Sequence, residues 1–202
     1  MMGDSRMNKF FQSLVLCFSG LQLFGCPKSG GNNAKNNVQG SQFVGSWTVN
    51  CLASSYGQSP VHRNAKLIIE ESREFKYSQT TFSDASCSNK LYEEASSGKI
   101  EWGENNDSST LKIKLIESSG SGTFLKENFA ATHSELGTCG FKDWKINEPK
   151  DLLGTGCIGF SEAGTSDGLQ LTIDEGASRL SVLALPQPNV KKLSSGDTFT
   201  KN

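Results

Sequence analysis

The side chains here with chemical reach are six cysteines, two histidines and a few clustered carboxylates. His62 and His133 stand alone, with neither an H-x-H nor an H-E-x-x-H spacing around them. Both are expected on surface loops. Glu70-Glu71 and Glu93-Glu94 are chain neighbours, and neighbours on a strand point to opposite faces, so neither pair can share acid–base work. No G-x-S-x-G elbow occurs; the segment from Gly159 to Gly164 has one residue too many. Cys51, Cys87, Cys139 and Cys157 lie far apart in the chain, whereas zinc sites bring cysteines in close pairs. Nothing assembles a catalytic centre, a metal site or a cofactor cradle, and the expectation is a protein that is not an enzyme.

Cys17 and Cys26 belong to a different kind of segment. Arg6 and Lys9 outweigh Asp4 at the start, and residues 10–24 then run without a charge. Such a run falls short of the ~20 apolar residues a spanning helix needs and suits a signal-peptide core. It ends Leu23-Phe24-Gly25-Cys26. This exit resembles the lipobox of bacterial lipoproteins, with Leu23 as the aliphatic position, Gly25 as the small residue before the cut and Cys26 as the new N-terminus. The resemblance implies that residues 1–25 are removed and that Cys26 carries a diacylglyceryl group and a further acyl chain. Several chains anchor stably where a single one binds only marginally. Pro27 in place of an aspartate points, in the same family pattern, to the outer membrane of the bacterial cell envelope.

Export changes the reading of the four remaining cysteines. In an oxidising compartment they form two disulfides, with three possible connectivities. Pairing in sequence order, Cys51 with Cys87 and Cys139 with Cys157, closes the shortest loops and is the expectation. Removing the signal takes Arg6, Lys9 and Asp4 from 20 basic and 21 acidic residues, leaving 18 and 20, a net charge of −2. That balance argues against nucleic acid as a partner.

The positioning elements follow from the pattern along the chain. Residues 28–42 are Gly, Asn, Ser, Gln and Lys with almost no apolar side chain, so residues 26–42 are expected to be a polar tether. From Phe43 to Asn202 short alternating runs replace it, enough for one domain. Trp47, Val49 and Cys51 share a face. Residues 66–71 and 74–82 flank a turn; residues 99–103 alternate; Leu111, Ile113 and Leu115 alternate with Lys112 and Lys114. Residues 118–122, Ser-Ser-Gly-Ser-Gly, are expected to be a turn with a return strand after it. Residues 140–147 and 156–160 are expected to flank a turn near Pro149. A further hairpin is expected around residues 174–176, ended by Pro186 and Pro188, with a last strand at 198–201. A helix is suggested only over 129–136. Many short strands with turns between them indicate an all-β barrel or sandwich.

Gly45-Ser46-Trp47 opens the first strand. This resembles the G-x-W signature of lipocalins and related calycin barrels, in which the tryptophan closes the narrow end under a basic side chain from a late strand. Arg179 and Lys201 are the two candidates for that side chain. The chain is also similar to bacterial lipoproteins of unassigned activity that carry G-x-W, a nearby cysteine and then Asp-x-x-Cys, here Asp84-Ala85-Ser86-Cys87. The resemblance implies an antiparallel up-and-down barrel, lipocalin-like. It also implies a small apolar or amphipathic ligand, or else a packed domain that works through protein contacts. If Cys26 carries the lipid, Cys26→Ser moves the protein from the membrane fraction to the soluble fraction on cell fractionation; persistence in the membrane removes the anchor from consideration.

Overall fold

The computed structural model describes residues 40–56, 59–105, 108–155, 157, 166–174, 176–184 and 197–202. The expected signal peptide, Cys26, most of the tether, Pro186 and Pro188 and nearly all of the 156–160 segment lie outside the described residues. The chain is all-β: among the described residues there are nine strands and one α-helix. They are β1 (Gly45–Tyr56), β2 (Ser59–Ile69), β3 (Glu74–Phe82), β4 (Lys90–Asn105), β5 (Thr110–Phe124), α1 (Glu127–Glu135), β6 (Lys150–Asp151), β7 (Ser166–Ile173), β8 (Arg179–Ala184) and β9 (Asp197–Lys201). Eight of them close an antiparallel barrel in the order β1-β2-β3-β4-β5-β7-β8-β9, with β9 returning to β1. β6 stands aside, pairing with β5 at Ser121 and Gly122.

Alternation explains the closure. Leu111, Ile113, Leu169, Leu171, Leu180, Val182 and Phe199 are all buried, and cross-strand pairing puts them on one inner face. Phe43, Trp47, Leu67, Ile69 and Phe75 complete the same cluster. Fully burying such a side chain stabilises the fold by roughly 1.5–3 kcal/mol. A 3₁₀ turn, Ser41–Phe43, seats Phe43 beneath the barrel. The folded unit therefore takes in Gly40 to Gln42, residues whose composition suggests tether; the Gln42 side chain donates to the Ser108 carbonyl at 3.1 Å.

Three expectations about strands are corrected. Residues 118–122 are not a turn but the middle of β5, which continues to Phe124 opposite β4. Their small side chains answer a packing demand. A Cβ on Gly122 would sit 2.1 Å from the Tyr92 hydroxyl, and one on Gly98 across the ladder would sit 2.0 Å from the Ile116 carbonyl oxygen. Nor does Cys51 continue the Trp47–Val49 face. The β1–β2 register shifts between Val49 and Leu52, and Cys51 sits in the shift at φ 47° with its N–H bonded to the Asn64 side chain at 2.6 Å. Residues 140–147 form no strand pair; the excursion there carries a 3₁₀ turn and a single bridge from Ile146 to Phe124.

Backbone cannot yield to a Cβ as a flexible side chain can. Gly98→Ala is therefore expected to cost upwards of about 3 kcal/mol in chemical denaturation, at the top of the overpacking range. Gly176→Ala, whose nearest neighbour would be 3.6 Å away, is expected to stay within about 0.5 kcal/mol.

Candidate functional site: the barrel lumen and its two ends

At the closed end Trp47 has no exposed surface, and its indole N–H donates to the Phe43 carbonyl at 2.8 Å. Lys201 lies over the ring, with Nζ 5.1 Å from the centroid. Of the two basic candidates it is Lys201 that takes this place; Arg179, on β8, pairs with Thr200 and is exposed. Gly45 explains why the first signature position is glycine. Its φ is +144°, and a Cβ there would stand 3.2 Å from the Lys201 side chain. Lys201 is exposed, so the cation–π contact itself contributes only ~0.5–1 kcal/mol. The buried indole hydrogen bond matters more.

Both expected disulfides are present, Cys51–Cys87 and Cys139–Cys157. The Asp84 carboxylate builds the loop that delivers Cys87. It accepts from the Ser86 hydroxyl, from the Asn89 N–H at 2.7 Å, and from the Ser88 N–H and hydroxyl at 3.2 and 3.0 Å. These donors, the Ser86 hydroxyl first, hold the Asp84 carboxyl far below the usual carboxylate range. Asp-x-x-Cys is thus a local cage that fixes the Cys87 backbone at φ 52° opposite the bulged Cys51.

The second disulfide ties down the excursion between β5 and β7. Phe124, at the end of β5, meets Tyr92, Phe129, His133 and Trp144 with ring centroids 4.6–5.4 Å away. His133 was expected on a surface loop, but it is only 6% exposed, stacked on Phe124 with Nδ1 2.8 Å from the Thr138 hydroxyl. Its place on α1 explains the error: a lone polar residue in a short helix is drawn inward when its ring is flat enough to join an aromatic cluster. Lys150 steadies the outside of the excursion, 2.8 Å from Asp143 and 3.7 Å from Glu148.

The lumen holds polar residues that the motifs did not flag. Arg63, Ser96 and Glu117 are buried, as is the ring of Tyr77. Arg63 Nη1 and the Tyr77 hydroxyl both donate to Gln79 Oε1, each at 2.9 Å. A signal for two of them lay in the alternation. Arg63 falls in step with Ala65, Leu67 and Ile69 on β2, and Glu117 with Leu111, Ile113 and Leu115 on β5. Glu93 and Glu94 do point apart, Glu93 outward to Lys90 at 2.9 Å and Glu94 on the inner face opposite Gln79. Among the described inner-face residues that keep accessible surface are Leu52, Ser54, Gln79, Tyr92, Glu94, Trp102 and Leu115. Among the described residues no three His, Cys, Asp or Glu side chains come together as a metal site requires. The chain matches no family model and no curated protein.

Burial holds the His133 imidazole below its ordinary value of 6.5. The unfolded chain then binds the proton more readily than the folded one, so stability is full above about pH 6.5 and falls as pH drops from there toward the folded-state value. Melting temperatures between pH 7.5 and 5 are expected to fall with acidity, and His133→Phe, which keeps the ring stack, is expected to flatten that slope.

Proposed function

We propose that this protein is a lipoprotein of the bacterial cell envelope, anchored through Cys26 at the outer membrane, whose lipocalin-like barrel binds a small amphipathic ligand without catalysing a reaction. The observation that carries the ligand is the uneven filling of the lumen. Its closed half is packed with Phe43, Trp47, Phe75 and Phe199, each at most 1% exposed, whereas inner-face residues on β1, β3, β4 and β5 retain accessible surface. An eight-stranded barrel is wide enough for packed side chains or one small ligand, and here most of the accessible inner-face side chains lie away from the aromatic-filled end. Accessible Leu52 and Leu115 share the inner face with Gln79 and Glu94, so the surface on offer is mixed, suiting a molecule with an apolar and a polar part.

The filled closed half also favours a second reading, a packed domain that acts through protein contacts at the envelope. Native mass spectrometry of the full Cys26→Ser chain, purified from the soluble fraction, separates the two. A discrete added mass that disappears on denaturation is expected, and it gives the ligand's size. The bare polypeptide mass supports the packed domain and removes the ligand reading.

A further inference from the structure

We propose that Cys51–Cys87 is a redox clamp on strand register. Oxidised, it holds β1 in a bulged register with Leu52 and Ser54 on the inner face; once it is reduced, β1 runs continuously against β2 with Cys51 and Ala53 in their place. The proposal concerns the barrel wall itself and stands whether or not the lumen holds a ligand.

The two registers differ by one residue. Gly45 to Val49 pair in step with Ile69 to Ala65, and Leu52 to Tyr56 pair in step with Arg63 to Ser59. Between them Asn50 and Cys51 oppose the single residue Asn64, the arrangement of a β-bulge. Without the extra residue the first pairing would continue unbroken, with Cys51 opposite Arg63 and Ala53 opposite Val61. Arg63 and Val61 are buried on the inner face, so Cys51 and Ala53 would turn inward and Leu52 and Ser54 outward. The sequence suits this second register, because the alternation that starts at Trp47 and Val49 runs on through Cys51 and Ala53. Nor does the hairpin oppose it. The connection now closed by Tyr56 and Ser59 would lengthen from two residues to three, both common lengths.

The bond and the continuous register exclude each other. Cys51 now lies level with Asn64, which alternates with the buried Arg63 and Ala65 and so belongs to the outer face. From there it reaches Cys87 in the loop between β3 and β4, with its Sγ 3.1 Å from the Ala85 carbonyl oxygen. Turned inward beside Arg63, the same sulfur would stand on the opposite side of the sheet from its present partner. The bulge also strains the backbone. Cys51 and Cys87 both sit in the left-handed region, at φ 47° and 52°, which residues other than glycine seldom adopt. Besides the bond, Cys51 is held by its N–H, 2.6 Å from Asn64 Oδ1. Both cysteines are only half-buried, within reach of a dithiol reductant. One thiolate of the reductant attacks a sulfur of the bond, and its second thiol then displaces the mixed disulfide. The reductant leaves as a cyclic disulfide, and Cys51 and Cys87, each having gained one electron and one proton, are left as thiols.

The test begins with the full Cys26→Ser chain as parent and a variant of it carrying Cys51→Ser and Cys87→Ser, in which Cys139–Cys157 remains to support the fold. Nuclear Overhauser contacts between β1 and β2 read the register directly. The oxidised parent is expected to show Ser54 opposite Val61, and the variant Ala53 opposite Val61. A folded variant that keeps Ser54 opposite Val61 overturns the proposal. A second measurement keeps the cysteines. The Asn64 hydrogen bond stabilises the bulged register alone, so Asn64→Ala weakens the oxidised form and leaves a continuous reduced form untouched. Parent and Asn64→Ala are equilibrated with graded dithiothreitol, checked for retained fold by circular dichroism, and read by alkylation and mass spectrometry at Cys51 and Cys87. Asn64→Ala is expected to shift the equilibrium about tenfold toward the thiols, the worth of a typical hydrogen bond. An unchanged equilibrium means that the reduced chain keeps its bulge, and overturns the proposal. Unfolding of both the variant and the reduced parent overturns it as well, since the bond would then hold the fold rather than the register.

Discussion

The barrel depends on how its first and last strands meet. Among the described residues β1 and β9 pair through Trp47 with Lys201 and Thr48 with Thr200. So short a ladder is weak alone, and the side chains around it supply what the backbone does not. Trp47 is fully buried, its indole N–H is satisfied by Phe43, Lys201 covers its ring, and Gly45 leaves room for Lys201 to lie there. Burying a tryptophan without a partner for its N–H would cost on the order of 1–3 kcal/mol. The 3₁₀ turn that presents the Phe43 carbonyl is thus part of the closure rather than a leader to it.

The opposite end is governed by covalent constraint and aromatic packing. Cys51–Cys87 pins the β3–β4 loop to the bulge in β1, with Asp84 shaping the loop from inside. Cys139–Cys157 closes the excursion after α1 upon Phe124 and Trp144. By the loop-closure argument each bridge stabilises by ~2–4 kcal/mol, mainly by restricting the unfolded chain. These bridges let a segment with one nine-residue helix and a two-residue strand hold a defined place.

Much of this architecture was legible before any coordinates, and the reasons are local. Leu111, Ile113 and Leu115 alternate with lysines because one face of β5 is wet, and the hairpins at 70–74 and 174–178 have turn residues between alternating runs. The disulfide pairing followed from chain separation. What escaped were places where one residue type serves two purposes. Ser and Gly at 118–122 look like a turn because turns use them, but here Gly122 makes way for Tyr92. Cys51 looked like a third inward residue, and a one-residue bulge moved it. Arg63 and Glu117 keep the inward alternation while breaking its polarity, so a count of apolar residues skips them. A polar side chain inside a barrel is invisible to a search for hydrophobic faces.

The two-pair seam between β1 and β9 also bears on how such a barrel changes girth. Among the described residues the other ladders around the wall are longer, from the four pairs of β8–β9 to the twelve of β4–β5. A cylinder with one short join behaves mechanically like a slit tube: strain imposed from within is not shared around the circumference but concentrates at the slit. Strain on the wall would then gather beside Thr48 and Thr200, where the buried Trp47 and the Lys201 laid over it reinforce the join.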